Sequence, residues 1–172
     1  MPAINSPTPD ATTITKGKIQ LAGDIGGTAA APTVVRVTLN PYKFRVYRTA
    51  AFSTPNNTTG KLLFDTKSFD TGTNFDVVTN NRFTTPVAGF YHFDAKVSYA
   101  NQNAYLMIYV NGVEVSRGPQ IVGTAVLGAM VSDTLQLAAS DYVEVFLFSA
   151  AVSTGSTGSN NTYFSGFLIS LT

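Results

Sequence analysis

Residues 75–93 read FDVVTNNRFTTPVAGFYHF and lead into the clearest periodic run of the chain. Over residues 89–99 apolar and polar side chains alternate, with Tyr91, Phe93, Ala95, Val97 and Tyr99 on one side and His92, Asp94, Lys96 and Ser98 on the other. Successive side chains of a strand point to opposite faces, so this period of two predicts a strand with one buried and one wet face. Further on, Asn111-Gly112 supplies two residues that tolerate positive φ. The pair predicts a tight hairpin between residues 105–110 and 113–117. Gly, Thr, Ser and Asn recur between short β-rich runs and no helical period is sustained, which is the pattern of an all-β sandwich.

Two strand-length runs do not alternate. Residues 104–110, AYLMIYV, are apolar on both faces, and so are most of residues 142–148, YVEVFLF. A sandwich strand packs only one face into the core, so the second face needs another cover. Burying a large side chain is worth about 1.5 to 3 kcal/mol, and several wet rings in one patch are uncommon on a monomer. A neighbouring subunit is the simplest cover, and a loop or the N-terminal arm is the alternative. Tyr105, Met107, Tyr109, Phe146 and Phe148 are therefore candidate subunit-interface residues, together with Phe167 from the apolar C-terminal run.

The 172 residues suffice for one domain with a sizeable core and a short extra segment. Charged residues make up 12% and the net charge is +1, so nothing marks a polyanion-binding surface and nucleic acid is not an expected partner. Cysteine is absent, which removes disulfides and thiolate chemistry. No apolar run approaches the ~18 residues of a membrane span. Residues 1–16 lack the charged start and apolar centre of a signal peptide, and the chain is expected to be soluble.

Residues 82–93, RFTTPVAGFYHF, and the C-terminal Tyr163-Phe164-Ser165-Gly166-Phe167-Leu168 resemble the two most diagnostic segments of the globular head of complement component 1q, a tumour-necrosis-factor-like jelly roll. The resemblance runs in family order over residues 44–171. It includes Phe44-Arg45-Val46-Tyr47-Arg48, where Val46 and Tyr47 depart from the family's small residue, then Leu63-Phe64-Asp65, Phe75-Asp76 and Val110-Asn111-Gly112. Leu135-Gln136-Leu137 and Ser140-Asp141-Tyr142-Val143 follow as a strand pair, with Ser140 in place of the usual turn glycine. The resemblance implies an antiparallel jelly roll without substantial helix, three sandwiches packed around a threefold axis, and a binding or structural role without catalysis.

Residues 1–43 are a different region. Pro2, Pro7 and Pro9 lie among Ser, Asn and Thr, with too little apolar surface to fold alone, so an extended arm is expected. Residues 17–34, GKIQLAGDIGGTAAAPTV, resemble a segment that recurs in bacteriophage and prophage tail-fibre and related virion proteins. That resemblance implies a phage particle as the setting. The small residues Ala22, Gly23, Gly26, Gly27 and Ala29 to Ala31 allow close approach of parallel chains near an axis, although a flexible linker has the same composition. Ile19, Leu21, Asp24, Ile25 and Val34 are candidate attachment residues. No Gly-Lys-Ser/Thr follows Gly23-Asp24-Ile25-Gly26-Gly27, so this is not a phosphate loop. Fully extended, residues 1–43 span roughly 140 to 155 Å, the reach of an arm or collar.

Constellations for catalysis are poor. His92 is the only histidine, so a Ser/His/Asp triad or a histidine metal site has to use it. The ten carboxylates are scattered, and no pair identifies glycosidase chemistry. Asp70, Asn74 and Asp76 sit at positions one, five and seven of a calcium-loop pattern, but the twelfth position is Asn81 and Gly72 takes an early ligand place. An Asp/Asn-capped turn is the stronger reading. No catalytic residue, metal or cofactor is expected. Tyr99, Asn101, Gln102, Asn103 and Tyr105 form one loop with sugar-contacting residue types, and Asn160, Asn161 and Tyr163 form another.

Two function classes follow. In the first, the chain is a non-enzymatic virion component at the particle surface, either a capsid decoration or short head fibre or the tip of a tail fibre. Residues 1–43 anchor it to capsid or fibre proteins, and residues 44–172 form a homotrimeric knob. In the second, it is a receptor- or carbohydrate-binding adhesin module, or a free complement 1q-like lectin.

Overall fold

The computed structural model describes residues 25–28, 31–34, 41–100, 103–123 and 126–172. The chain divides into two units, residues 1–39 and 40–172. In the first unit, β1 (Ile25–Thr28) and β2 (Ala31–Val34) pair antiparallel, with Ile25 opposite Val34 and Thr28 opposite Ala31. Within the stretch rich in small residues, residues 25–28 and 31–34 thus form a two-stranded ribbon. Its strands carry β-branched Ile25, Thr28, Thr33 and Val34 around the small residues. Candidate attachment residues Ile25 and Val34 are register partners; Ile19, Leu21 and Asp24 lie outside the described residues.

The second unit is built of β3 (Lys43–Tyr47), β4 (Phe52–Thr54), β5 (Thr58–Lys61), β6 (Thr66–Asp70), β7 (Phe75–Asp76), β8 (Arg82–Thr84), β9 (Gly89–Ala100), β10 (Ala104–Val110), β11 (Val113–Arg117), β12 (Val126–Leu137), β13 (Tyr142–Ser149), β14 (Ser153–Gly155) and β15 (Tyr163–Leu171). The smaller sheet runs β11-β10-β13-β8-β7, with β5 also paired to β13. The larger runs β4-β14-β9-β15-β3-β6, with β12 along β9. All pairings are antiparallel, and the two sheets face each other across one core, the all-β jelly roll that the sequence predicts.

Alternation places the side chains. On β9, Tyr91, Phe93, Ala95 and Val97 are buried, while His92, Asp94 and Lys96 are partly open to solvent. Ser98 departs from the predicted wet face and is buried. The Ser98 amide donates to Asn161 O and its carbonyl accepts from Ser156 N, so the segment between β14 and β15 lies over it. The side chain of Tyr99 is outside the described set. Asn111 (φ 52°) and Gly112 (φ 81°) make the predicted turn between β10 and β11. The Asn111 amide group fixes the turn by donating to Asp141 Oδ1 at 2.7 Å and accepting from Tyr142 N at 3.0 Å.

The expected strand pair across Ser140 is corrected. Strands β12 and β13 are consecutive but belong to different sheets: β12 pairs with β9, and β13 with β10, β8 and β5. Ser140 takes φ 73°, the left-handed conformation for which glycine is the usual residue. The connection then carries the chain from one layer to the other.

Seven rings form the centre of the core: Phe44, Phe64, Phe75, Phe83, Tyr91, Phe93 and Phe164. Phe44 lies among them, with ring centroids 4.7 Å from Phe83, 5.0 Å from Phe164, 5.2 Å from Phe75 and 6.4 Å from Phe93. Gly166 on β15 lets two of these rings approach its backbone. A Cβ there would stand 2.5 Å from Phe93 Cδ1 and 2.9 Å from Phe44 Cε1.

Asp65 ties the segment after β3 to the start of β6. Its carboxylate accepts from Thr49 N and Ala50 N, each at 2.8 Å, and from the Thr49 and Thr66 hydroxyls at 2.9 Å. Partial burial pushes the Asp65 carboxyl up, but these four donors together outweigh it and hold the group at about 2, against an ordinary 3.8. A carboxyl lowered on folding contributes stability above its unfolded value, and this contribution is lost as pH falls from about 4 towards 2. The expected result is a thermal midpoint that drops over that window and drops less steeply in Asp65→Asn. Parallel slopes for the two proteins in melts from neutral to acid pH would remove Asp65 from the account.

Candidate interaction surfaces

Cross-strand register brings five of the six candidate interface residues together on the outer face of the smaller sheet. Tyr105 is opposite Phe148 and Met107 opposite Phe146, while Tyr109 is opposite Glu144. The Tyr105 and Phe148 rings stack at 4.9 Å with 16° between planes, and Tyr109 and Phe146 lie 4.2 Å apart. Met107, between the two tyrosines along β10, is only 2% exposed. The rings are half-buried against one another. Directly opposed side chains stand close enough to shield each other, and the alternation pattern does not carry that information.

Charged groups frame these rings in pairs. Lys61 Nζ is 2.6 Å from Glu144 Oε1 and also donates to Asn80 O. Arg117 meets Glu114 at 2.7 Å and lies 4.8 Å over the Tyr105 ring. The Arg82 guanidinium lies 4.2 Å over Tyr142.

Phe167 is on the other sheet. It stands on β15 between Lys43 of β3 and His92 of β9 and is 42% exposed. Phe69 at 44%, Phe90 at 40%, Met130 at 50% and Ile169 at 52% are further open apolar side chains on or beside this outer face. Nearby, a shallow groove of about 360 Å³ is lined by Lys43, Arg45, Phe69, Asp94, Ser165 and Phe167, among others. Sequence reasoning missed this face because β9, β12 and β15 look half-polar when each is read alone.

On the same face, His92 Nε2 is 3.1 Å from Asp94 Oδ2 and 3.4 Å from Ser132 Oγ, and Nδ1 is 3.1 Å from Thr134 Oγ1. Carboxylate and serine share one ring nitrogen. A triad needs them on opposite nitrogens, so that the acid orients the base while the base takes the serine proton. This arrangement is a surface hydrogen-bond cluster.

Asp70 and Asp76 are occupied by their own turns. Asp70 accepts from Asn74 N at 3.1 Å and Phe75 N at 3.0 Å and pairs with Lys67 at 2.7 Å. Asp76 accepts from the amides of Val78, Thr79 and Asn80 at 2.8 to 2.9 Å, with the Asn80 side chain at 3.0 Å. Those donors, the Thr79 amide foremost, hold the Asp76 carboxyl well below the usual carboxylate range. Among the described residues no group of three or more His, Asp or Glu is placed to hold a metal, and no helix is long and apolar enough to cross a membrane.

The first of the two sugar-binding loop candidates is described only in part. Asn101 and Gln102 lie outside the described residues, and Tyr105 belongs to the aromatic face. Tyr163 is covered by the Arg45 guanidinium at 3.9 Å, and Asn161 Nδ2 donates to Thr157 O at 2.9 Å.

This sandwich is similar to known ones. The globular domain of zebrafish complement 1qA matches with a TM-score of 0.57 at 19% identity, covering 76% of this chain and 99% of that one. Eiger TNF from S. frugiperda matches at 0.61 and 7% identity, with 76% and 94% covered, and murine APRIL at 0.57 and 10%, with 74% and 98% covered. At such identities the likeness speaks for the fold. No curated protein matches the sequence. Residues 9–61 match a family model described as a repeat of unknown function, DUF5907, which spans the phage-like segment and assigns it no role. A second family model, described as the C1q domain, matches residues 43–169, the span that builds both sheets and the ring-filled core. By sequence pattern and by fold alike, the chain belongs to the C1q domain family.

Proposed function

We propose that the protein is a non-enzymatic structural knob of a bacteriophage particle, with residues 44–172 forming a homotrimeric head at the virion surface and residues 1–43 attaching it. The observation that carries the trimer is the open apolar set Phe90, Met130, Phe167 and Ile169 on the outer side of the larger sheet. These side chains stay wet in a single chain, whereas the rings on the outer face of the smaller sheet are half-buried against one another. Covering the first set gives the larger gain in apolar burial, so the threefold contact belongs to the larger sheet. The resemblance to the complement 1q head supports three copies. Resemblance of residues 17–34 to virion segments, and the division of the chain into units at residues 39 and 40, support the attachment role.

Deleting residues 1–41 is the test. A knob that folds without its arm stays a soluble trimer and no longer joins the particle. If particle incorporation, followed by immunoblot of purified virions, is unchanged by the truncation, the head carries the attachment surface and the anchor role of the arm is wrong.

A further inference from the structure

We infer that the aromatic face of the smaller sheet is a binding platform for a neutral carbohydrate. The inference rests on the knob reading only in that trimerisation through the larger sheet leaves this face pointing outwards. Three observations converge on it. First, Tyr105, Phe148, Tyr109 and Phe146 form two cross-strand ring pairs on one sheet face, with nearly buried Met107 filling the space between them. Second, the platform is held in place before any ligand arrives. Strand backbone and mutual stacking fix the rings, so little side-chain freedom is lost on binding. Third, most of the charge around it is paired: Lys61 with Glu144 and Arg117 with Glu114, while Arg82 lies over the Tyr142 ring.

Those pairings select the partner. A phosphate or sulfate polymer requires cations free to release counterions, and this face presents its cations paired or stacked. A sugar ring offers C–H faces to aromatic carbon and hydroxyls to fixed donors and acceptors. Tyr105 and Tyr109 supply an apolar body with a phenolic tip. Glu144 and Lys61 at one side, and Glu114 and Arg117 at the other, supply strong hydrogen-bond groups without net charge.

The test titrates the full chain with neutral hexasaccharides of glucose, galactose and N-acetylglucosamine by calorimetry, with heparin as the anionic comparison, at low and high salt. The molar mass of each protein is read by light scattering. Saturable, salt-insensitive binding of at least one neutral hexasaccharide is expected. Tyr105→Ala and Tyr109→Ala should each weaken it about tenfold at unchanged mass. Glu144→Gln, which keeps the shape of the side chain, should weaken it severalfold and guards against misfolding of the tyrosine variants. Absence of neutral-sugar binding overturns the inference, and so does heparin binding that collapses with salt. A mass that changes in the tyrosine variants means that the face joins copies of the chain, with the same consequence. A monomeric chain that binds sugar through these residues sinks the knob reading and leaves the platform standing.

Discussion

Replacing Phe44 by alanine is expected to destabilise the fold by about 3 to 5 kcal/mol, the upper range for a buried aromatic. The ring is 1% exposed and packs on Phe75, Phe83, Phe93 and Phe164, contributed by β7, β8, β9 and β15. Those four strands span both sheets, so the space cannot close by moving one side chain, and the cavity term adds to the lost transfer energy. Val78→Ala is the comparison, at 88% exposure, and should stay within about 0.5 kcal/mol. Denaturant unfolding of both variants measures the difference. Equal midpoints would show that the ring cluster does not hold the sheets together.

The second large effect concerns assembly. Met130→Glu and Phe167→Glu in one chain should convert a trimer to monomers at micromolar concentration with the circular-dichroism spectrum unchanged. Both side chains point outward, so the sandwich loses little. In a trimer closed through the larger sheet, each substitution buries an unpaired carboxylate, a defect that costs about 3 to 5 kcal/mol and weakens association by more than a hundredfold. An unchanged mass would move the threefold contact to another face.

Much of the sandwich was legible because its strands obey local rules. Alternation over residues 89–99 gave β9 and its inward rings, and Asn111-Gly112 gave the turn after β10. Asp70 and Asp76 read as turn caps, and their carboxylates are bound to local amides. What escaped depends on partners distant in sequence. Two apolar faces on β10 and β13 could be read, but not that Tyr105 stacks on Phe148 some forty residues later and so shields itself. Phe167 was grouped with those rings because it is equally apolar. Only the pairing of β15 with β9 and β3 puts it on the opposite sheet. Ser140 hid a similar ambiguity, since a turn that joins paired strands and one that crosses between sheets use the same left-handed residue. In the first unit, glycine and alanine gave no side-chain period from which the β1–β2 ribbon could be read.

The molar mass of the intact chain in solution tests the central claim most directly. Light scattering at micromolar concentration should return three times the mass of one chain, which is 18.3 kDa for the full chain, and likewise three times its own smaller chain mass for residues 42–172. A stable species of single-chain mass in both would mean that Phe90, Met130, Phe167 and Ile169 remain open to water, and would contradict the trimeric knob.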